Sequence, residues 1–590
     1  DRNGLRPARY CITKDGRVVL TSEVGAVRLD PKEVLSKGRL EPGKMLLIDT
    51  EQKRIVPDAE VKHIMASAHP YGQWCQEHLV DLPDLMEEAG DASLEKPKPD
   101  ALLEQQQAFG YTKEDLAQIL VPMARTGKEP VGAMGVDCPL PVLSEQPQML
   151  YDYFQQNFAQ VTNPPMDALR ESIVTSTSVM IGNVANIMDP DEKGTYALAV
   201  DRPLLTNEEM AVIKSQKNEK LRTVTLSLLY PVSEGAQAME KAIDGLCKDA
   251  LQAVQGGANI LALSERGISP YLAAIPALLA TAAVHNFLIK ETVRSDVGLI
   301  LESGEPREIH HFCTLIGYGI TAVNPYLALD TLKALSEGHK MAGVTGEEAQ
   351  ENYLKAAVAG IQTVMSKMGI CTVRSYHGAQ IFEAVGINKD VINKYFVHTP
   401  SRIEGLGLEE IARETEMRHS QAFQGKQGLS DGDIYAYKKN GPEPHILDPE
   451  AIALLQKACR TGDQDAYRQF ADRVNSGALF RLRDLLEFDY PDGCSIPVEE
   501  VEPVASIVKR FRTGAMSYGA LSKEAHECIA IAMNRLGGRS NTGEGGEDSE
   551  RFTLRPDGSN PSDAIKQVST ARFGVTGNYL VNADELQIKF

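Results

Sequence analysis

Apolar and polar residues alternate in different ways along this chain. Residues 1–50 contain short β-rich runs separated by glycine turns, such as "RVVLTSEVGAVRL" and "KMLLIDT", which is typical of strands joined in hairpins. From about residue 220, short apolar runs alternate with segments of helical periodicity, and this order predicts a largely parallel α/β layer. A charged, mainly helical stretch is predicted from about 400 to 488, before β and α patterns return.

The α/β region predicts a definite order of elements. Strands are expected at 221–230, 259–264 and 297–304, and helices at 235–254, 271–288, 307–319 and 353–370. The most apolar run, 271–289, reaches the length of a membrane span but contains Pro276, His285 and Asn286, so we predict a buried helix. Residues 84–102 are acidic and contain proline, which indicates a linker or an exposed excursion.

The C-terminal region predicts the opening of a (β/α) barrel. "RTGAMSYGALS" is expected to form an extended segment and a turn, and Ser522 is placed to cap the next helix. That helix is predicted to stop at Gly537–Gly538. Its predicted apolar face comprises Ala525, Ile529, Ala532, Met533 and Leu536. A helix near 561–571 and a strand at "LQIKF" are expected to follow. A complete barrel needs about 250 residues, so we expect only its first units.

Composition narrows the class of protein. A chain of 590 residues is expected to form roughly three or four domains. The formal net charge of −20 argues against nucleic acid or an anionic membrane as the main partner. Nine cysteines without a C-x-x-C pair or a cluster predict no local zinc or iron–sulfur site. The chain starts at Asp1 without a signal-peptide pattern, so we expect an internal piece of a longer protein.

The stretch "RSNTGEGGEDSERF" (539–552) sets glycines among acidic residues. Glycine-rich turns often bind phosphate through backbone N–H groups, but this loop lacks the lysine and hydroxyl of a Walker loop. Each carboxylate would also repel a phosphate by about 4 kcal/mol at an effective dielectric near 20. The loop therefore suits an ammonium, an imine or a neighbouring cationic group better than a phosphate. A solvated turn is the alternative.

Several long motifs carry a family resemblance. They are "DRNGLRPARY", "GRLEPGKMLLID", "ESGEPREIHHFCTLIGYGITAVNPYLA", "VMSKMGI", "SYHGAQIFEAVGI", "AMSYGALSKEAH", "SNTGEGGED" and "IKQVSTARFGVT". In this order they resemble the glutamate synthase large subunit over essentially the whole chain. The resemblance implies an α/β multidomain fold with the tail of a class II (Ntn-type) amidotransferase domain in 1–62. It also implies a linker and central α/β domain in 63–405 and the first part of an incomplete (β/α)8 FMN barrel in 406–590.

The resemblance implies a reaction in three stages. A glutaminase domain releases ammonia from glutamine, a tunnel carries the ammonia past the central domain, and FMN reduces the imine formed with 2-oxoglutarate. The complete enzyme is expected to bind FMN and a 3Fe-4S cluster, with residues that lie mostly beyond Phe590. The catalytic N-terminal cysteine and the active-site lysine are also expected outside this chain. No catalytic residue is therefore assigned within it, and the isolated chain is expected to be inactive.

The resemblance also implies binding residues within the chain. The candidates for binding cofactor or substrate are Met516, Ser517, Glu544 and Glu547, and the weaker ones are Lys566, Gln567 and Arg572. The resemblance implies that Met516 and Ser517 lie beside the flavin and 2-oxoglutarate. It implies that the acidic loop lies near the tunnel exit and the contact with the glutaminase domain, where Glu547 matches a glutamate that links the two sites. Ser517 can donate a hydrogen bond to a carboxylate, and Met516 can pack on an apolar edge. Lys566 and Gln567 rank lower because polar residues on a helix face are usually solvated or paired. His526 is expected to be structural.

Other tempting residues are expected to be structural. Adjacent histidines on a helix point about 100° apart, so His310 and His311 do not readily share a metal. The same expectation covers Glu302, Glu305 and His377, the last of which stands where relatives commonly have arginine. No metal site is assigned. Asn3–Gly4 is expected to be a turn rather than an oxyanion hole.

An insertion that is absent from this chain predicts its electron donor. Ferredoxin-dependent members of the family carry an insertion just after the acidic loop, and this chain lacks it. The gap favours electrons from NAD(P)H through an FAD-containing small subunit or a fused domain. The expected enzyme is oligomeric and cytoplasmic, or plastid if eukaryotic, and binds neither nucleic acid nor membrane. The alternative is a non-catalytic scaffold that keeps the central domain as an interaction surface.

Overall fold

A computed structural model gives the fold as two compact units, Asp1–Leu486 and Glu487–Phe590. It describes residues 8–23, 25–90, 99–132, 135–157, 168–184, 186, 188–338, 341, 343–424, 428–439, 441–475, 479–569 and 575–590. Both units contain parallel strands connected through helices. The chain is therefore an α/β multidomain protein, as predicted.

The first unit contains most of the elements. Its strands are β1 Ala8–Thr13, β2 Val18–Thr21, β3 Val34–Leu40, β4 Leu47–Asp49, β5 Arg54–Val56, β6 Leu79–Asp81, β7 Phe154–Gln156, β8 Val179–Gly182, β9 Ala197–Val200, β10 Thr223–Ser227, β11 Leu229–Pro231, β12 Ile260–Ser264, β13 Leu272–Ala274, β14 Gly298–Glu302, β15 Ala322–Asn324, β16 Phe382–Ile387 and β17 Ser401–Leu406. Its helices are α1 Asp58–Ala66, α2 Tyr71–His78, α3 Leu82–Ala89, α4 Pro99–Ala108, α5 Val121–Thr126, α6 Ala168–Val174, α7 Asn207–Ser215, α8 Gly235–Gln255, α9 Ala277–Lys290, α10 Ile309–Gly317, α11 Tyr326–Glu337, α12 Gly346–Met368, α13 Val373–Tyr376, α14 Lys389–Tyr395, α15 Leu408–Phe423, α16 Pro449–Thr461 and α17 Gln464–Asn475.

A parallel sheet of order β10-β12-β14-β15 forms the core of the first unit. Every residue of β12 and β14 is buried, which explains why both strands are apolar in the sequence up to their last residues, Ser264 and Glu302. Helices α8, α9 and α10 lie between successive strands in the chain, as the pattern predicts. The predicted helix at 271–288 is wrong at its start, because Leu272–Ala274 pairs with β11 and the helix begins only at Ala277, with Pro276 as its N-cap.

Smaller sheets surround this core. The N-terminal hairpins form the antiparallel sheets β2-β1-β3 and β4-β5, as predicted. The predicted excursion at 84–102 is partly wrong, because α3 ends only at Ala89 and buries Leu85. Within the described ranges, no helix is both long and apolar enough to cross a membrane.

The second unit is built on a parallel sheet of order β18-β19-β20-β21. Its elements are β18 Arg512–Ala515, β19 Arg539–Asn541, β20 Ile565–Ser569, β21 Glu585–Lys589, α18 Val504–Ile507, α19 Lys523–Leu536 and α20 Gly577–Val581. The extended segment before Met516, the last strand and the Ser522 cap, which accepts from the Ala525 N–H at 3.2 Å, are as predicted.

Two predictions for the second unit are wrong. The predicted helix at 561–571 is strand β20, which pairs with both of its neighbours. Helix α19 does not bury the predicted apolar face, because its buried residues are His526, Glu527 and Ala530, whereas Leu536 is exposed. The first two are held there by polar contacts, which a hydrophobic pattern does not report.

Candidate functional site

The candidate site lies at the carboxyl edge of the sheet in the second unit. Met516 and Ser517 directly follow β18, and the acidic glycine loop directly follows β19. The carboxyl ends of parallel strands meet at one edge of a sheet, where open α/β proteins bind their ligands. The structure therefore brings together the two stretches that the sequence analysis singled out.

Two glycines allow the acidic loop to lie directly on the turn after β18. Gly543 has a φ of +63°, and a Cβ there would lie 2.7 Å from the backbone nitrogen of Ser517. A Cβ on Gly545 would lie 2.9 Å from the backbone nitrogen of Tyr518. Real Cβ atoms do not come so close to a backbone nitrogen. The two backbone segments can therefore pack directly against each other only because Gly543 and Gly545 have no side chain.

The Glu547 carboxylate is paired inside the unit. Its side chain and that of Lys566 have no exposed surface, and the two form an ion pair. Lys566 also donates to the Ser562 hydroxyl at 3.1 Å and to the Asp563 carbonyl at 2.6 Å. The Asp563 N–H donates to Glu547 at 3.0 Å. Burial raises the pKa of the Glu547 carboxyl, and the Lys566 ammonium opposes that rise.

This placement changes how both residues are interpreted. Glu547 was expected to offer its carboxylate to an ammonium, an imine or a neighbouring cation, and its neighbouring cation is Lys566. The lower rank of Lys566 rested on a solvated helix face and is wrong on that point, because this residue is buried on β20. The pair therefore fixes the base of the acidic loop.

A second chain of contacts connects this pair to Met516. Arg551 donates to Asp563 at 2.8 Å and lies 3.4 Å from Glu547. Arg551 also donates to Nδ1 of His526 at 2.6 Å, which leaves Nε2 as the protonated nitrogen. Nε2 then donates to the Met516 carbonyl at 2.8 Å. His526 is thus structural, as expected, and holds the turn after β18.

Three amide side chains converge near the same edge. Asn541 and Gln567 each donate to the Gln587 side-chain oxygen at 2.7 Å. Asn541 also accepts from the Gly543 N–H at 3.0 Å. Gln567 was a predicted candidate, whereas Asn541 and Gln587 were not predicted. The only signal in the sequence was a polar residue at the end of β19 and another in the middle of β21. Amides both donate and accept hydrogen bonds, so this row suits a planar polar ligand.

The remaining candidates fall in different places. Glu544 is partly exposed and forms an ion pair with Lys589 at the end of β21. Arg572 lies outside the described residues, and so does Asn3–Gly4.

The adjacent histidines of α10 have separate partners in the first unit. Nε2 of His310 lies 3.1 Å from the carbonyl oxygen of Tyr151. His311 lies 3.0 Å from the Glu308 carboxylate. Burial opposes ionisation of Glu308, but His311 and Arg307 outweigh it and lower its pKa to about 2. These contacts give both histidines structural partners.

Glu302 and His377 are also held by contacts within the first unit. Glu302 ends β14 and pairs with Lys214 at 2.7 Å and with Arg266 at 3.0 Å. Burial and the Arg294 charge lower the pKa of His377 to about 3, so its imidazole is neutral.

Two buried carboxyl groups lie beyond the ends of the central strands. Glu265 accepts from the Ser303 hydroxyl at 3.0 Å and from the Gly304 N–H. Glu305 accepts from the Ala277 N–H at 3.0 Å. Burial raises the pKa of both carboxyl groups, and the charge of Glu305 raises that of Glu265 further. Glu305 was among the residues considered from the sequence, whereas Glu265 was not, because it is a single acidic residue directly after β12.

Family profiles match most of this chain. "Glutamine amidotransferases class-II" matches residues 1–74, "Glutamate synthase central domain" matches 104–388 and "Conserved region in glutamate synthase" matches 445–590. These ranges follow the order that the motifs implied.

Curated relatives are similar over the whole chain. It is 46% identical to the glutamate synthase (NADPH) large chain of Bacillus subtilis and covers 38% of that protein. It is 43% identical to the glutamate synthase (NADH) of Schizosaccharomyces pombe, covering 29%, and 41% identical to the ferredoxin-dependent glutamate synthase of Cyanidium caldarium, covering 40%. The chain thus spans well under half the length of these relatives.

A solved structure shows a weaker likeness. The flavin-binding domain of baker's yeast flavocytochrome b2 is 9% identical with a TM-score of 0.25, over 53% of this chain and 100% of that one. A score this low supports no statement about fold or function.

Proposed function

Because this chain belongs to the glutamate synthase family, we propose that the whole protein makes L-glutamate from L-glutamine and 2-oxoglutarate. The observation that carries the proposal is the identity of 46% over the full chain to a relative with that name. We assign 1–62 to the glutaminase domain, 63–405 to the linker and central domain, and 406–590 to the start of the synthase domain. The order of the three matched profiles supports this division.

The carboxyl edge of the second unit is the proposed synthase site. Ser517 donates a hydrogen bond to a carboxylate of 2-oxoglutarate or its imine, and Met516 packs on the apolar part of the ligand. Glu544, partly exposed and paired with Lys589, supplies an acceptor beside them. The buried pair of Glu547 and Lys566 positions the glycine loop against Ser517 rather than binding ligand itself.

The residues at this edge fit the ring of FMN. The row of amides from Asn541, Gln567 and Gln587 can donate to and accept from the polar edge of a flavin ring. When bound, the flavin supplies the hydride that converts the imine to glutamate. Ser517 and the loop orient the imine carbon, and the neighbouring backbone excludes water from it.

The residues present do not fit a 3Fe-4S cluster. Such clusters are held by cysteine thiolates, and the second unit contains only Cys494 and Cys528, both exposed. No step is assigned to a cluster within this chain.

We propose NAD(P)H as the electron source, through an FAD-containing subunit or fused domain. The alignment to the NADPH relative spans 593 residues and that to the Cyanidium ferredoxin-dependent relative spans 628, against 590 in this chain. The longer alignment is consistent with an insertion that this chain lacks.

Steady-state assays of the whole protein test both proposals. Glutamate should form from glutamine and 2-oxoglutarate with NADPH or NADH when the FAD partner is present. Robust turnover with reduced ferredoxin alone would refute the donor assignment. No glutamate with any donor would refute the enzyme and favour the scaffold alternative.

A further inference from the structure

Three metal-ligating side chains meet in the first unit, far from the proposed synthase site in sequence. The ligand atoms of Asp137, Cys138 and His445 all lie within 4.8 Å of one another. Nδ1 of His445 lies 2.9 Å from Asp137 Oδ1, and Cys138 Sγ lies 3.9 Å from Nδ1 and 3.6 Å from Nε2. The spacing of the cysteines predicted no local metal site. The fold brings His445 to Asp137 and Cys138 from a distant part of the chain.

The imidazole of His445 faces oxygen acceptors on both sides. Asp137 Oδ1 lies 2.9 Å from Nδ1, and the Asp433 carbonyl oxygen lies 2.8 Å from Nε2. A neutral imidazole carries one N–H group and can satisfy only one of these oxygens. A cation bound by Nδ1 and Asp137 would satisfy the second contact without a second proton.

The surrounding charge is negative. The Asp433 side chain is 1% exposed and its carboxylate lies 4.0 Å from Nε2. Glu443 has one buried carboxylate oxygen without a hydrogen-bond partner, and Glu114 is buried. In the part of the chain that the structure describes, no lysine or arginine forms an ion pair with Asp137 or any of these three carboxylates. A site with this balance of charge favours a cation.

We propose that Asp137, Cys138 and His445 bind one zinc ion, with a solvent molecule as the fourth ligand. A thiolate, an imidazole and carboxylates are ligands that zinc accepts in tetrahedral geometry, whereas magnesium and calcium require oxygen ligands alone. On binding, the thiol proton of Cys138 leaves to solvent and a sulfur–zinc bond forms.

The ion would have a structural role. The backbone N–H groups of Ile446 and Leu447 already donate to Asp137, so the segment between α15 and α16 is attached at this point. A zinc ion would add strong bonds between residues more than 290 positions apart in the chain. This inference does not depend on the proposed reaction.

Metal analysis of the whole protein tests the site. After expression with zinc and extensive dialysis, the wild type should retain about one zinc per chain by mass spectrometry. Cys138→Ser and His445→Gln should lose at least tenfold in zinc affinity. The control Cys371→Ser, which removes an exposed thiol of the same unit, should retain zinc. A zinc-free wild type, or full zinc retention by Cys138→Ser, would overturn the proposal.

X-ray absorption at the zinc edge identifies the ligands even if the variants fail to fold. Neither iron nor flavin contributes at this edge. The expected wild-type spectrum has one sulfur at about 2.3 Å and nitrogen or oxygen neighbours at about 2.0 Å. A shell of nitrogen and oxygen alone would mean that the zinc is adventitious, and the imidazole would then be held by hydrogen bonds only.

Discussion

At the scale of single residues, the Glu547–Lys566 pair is the most sensitive point of the second unit. Both charges are fully buried, and each satisfies the other. Lys566→Met would leave the Glu547 carboxylate buried without its main partner. We expect a loss of about 3–5 kcal/mol in the free energy of unfolding of this unit.

A matched lysine provides the control for that prediction. Lys523 is exposed and lies 3.7 Å from two carboxylates, so Lys523→Met should destabilise the unit far less than Lys566→Met. Amide exchange across 512–569 reports the stability of the unit in each variant. Equal effects of the two substitutions would show that the buried pair does not stabilise the loop.

Glu265 predicts a pH dependence of stability. Because folding raises the pKa of its carboxyl group, the native state binds the proton more tightly than the unfolded state. Its contribution to stability is therefore greatest below the ordinary pKa of 4.5 and is lost as the pH rises through the folded value. Glu265→Gln removes this titration.

The expected result is a difference in Tm that changes with pH. Relative to the wild type, Glu265→Gln should gain in Tm as the pH is raised from about 4.5 to about 8. Thermal unfolding at several pH values decides the matter. A pH-independent difference for Glu265→Gln would contradict the account.

At the scale of elements, the glycine loop after β19 gives a prediction with a built-in control. Gly543 and Gly558 both have positive φ, at +63° and +80°, but only at Gly543 would a Cβ clash, 2.7 Å from Ser517 N. Gly558→Ala should cost about 1 kcal/mol of backbone strain. Gly543→Ala should cost more and, on the proposed function, should raise the KM of the whole protein for 2-oxoglutarate.

Denaturant unfolding and steady-state kinetics of the two variants provide the measurements. The clash must move the turn that carries Met516 and Ser517, whereas the Gly558 turn lies in open space. If both variants lose the same stability and keep the wild-type KM, the contact between the acidic loop and the Met516–Ser517 turn does not contribute to substrate binding.

The sequence predicted those elements whose burial is purely hydrophobic. Strands β12 and β14 are apolar up to their last residues, Ser264 and Glu302, so their runs locate them. The sequence misassigned β20 because this strand buries Lys566 and Gln567. Their partners come from other segments, and a local pattern does not contain that information.

The candidate site was predictable to the same extent. Family motifs singled out the Met516–Ser517 turn and the acidic loop separately, and only the structure shows that the two lie against each other. The burial of Glu547 was not predictable, because Lys566 and Arg551 reach it only once the sheet has formed. Cys138 and His445 are likewise 307 residues apart in sequence and meet only in the fold.

At the scale of the whole molecule, the printed chain by itself is expected not to retain FMN. (β/α)8 barrels hold a phosphate on loops after strands 7 and 8, whereas the described residues of the second unit form a sheet of four strands. This sheet can offer an edge to the flavin ring, and its described residues include no phosphate loop of that type. The outer strand β21 also exposes Leu586 and Ile588.

Dialysis of the purified chain against FMN-free buffer checks this prediction. We expect the flavin absorbance to fall to the background level and amide exchange across 579–590 to be fast. Stoichiometric flavin with strong protection of that segment would show that these strands already form a competent site.

The most direct test of the central claim follows nitrogen through the whole enzyme. Glutamine labelled with heavy nitrogen in its amide group is supplied together with unlabelled 2-oxoglutarate, NAD(P)H and excess unlabelled ammonium. If the protein is a glutamate synthase with an internal ammonia path, the glutamate formed from 2-oxoglutarate should carry the heavy nitrogen in its amino group despite the free ammonium. Unlabelled product, or no glutamate from 2-oxoglutarate, would contradict the account.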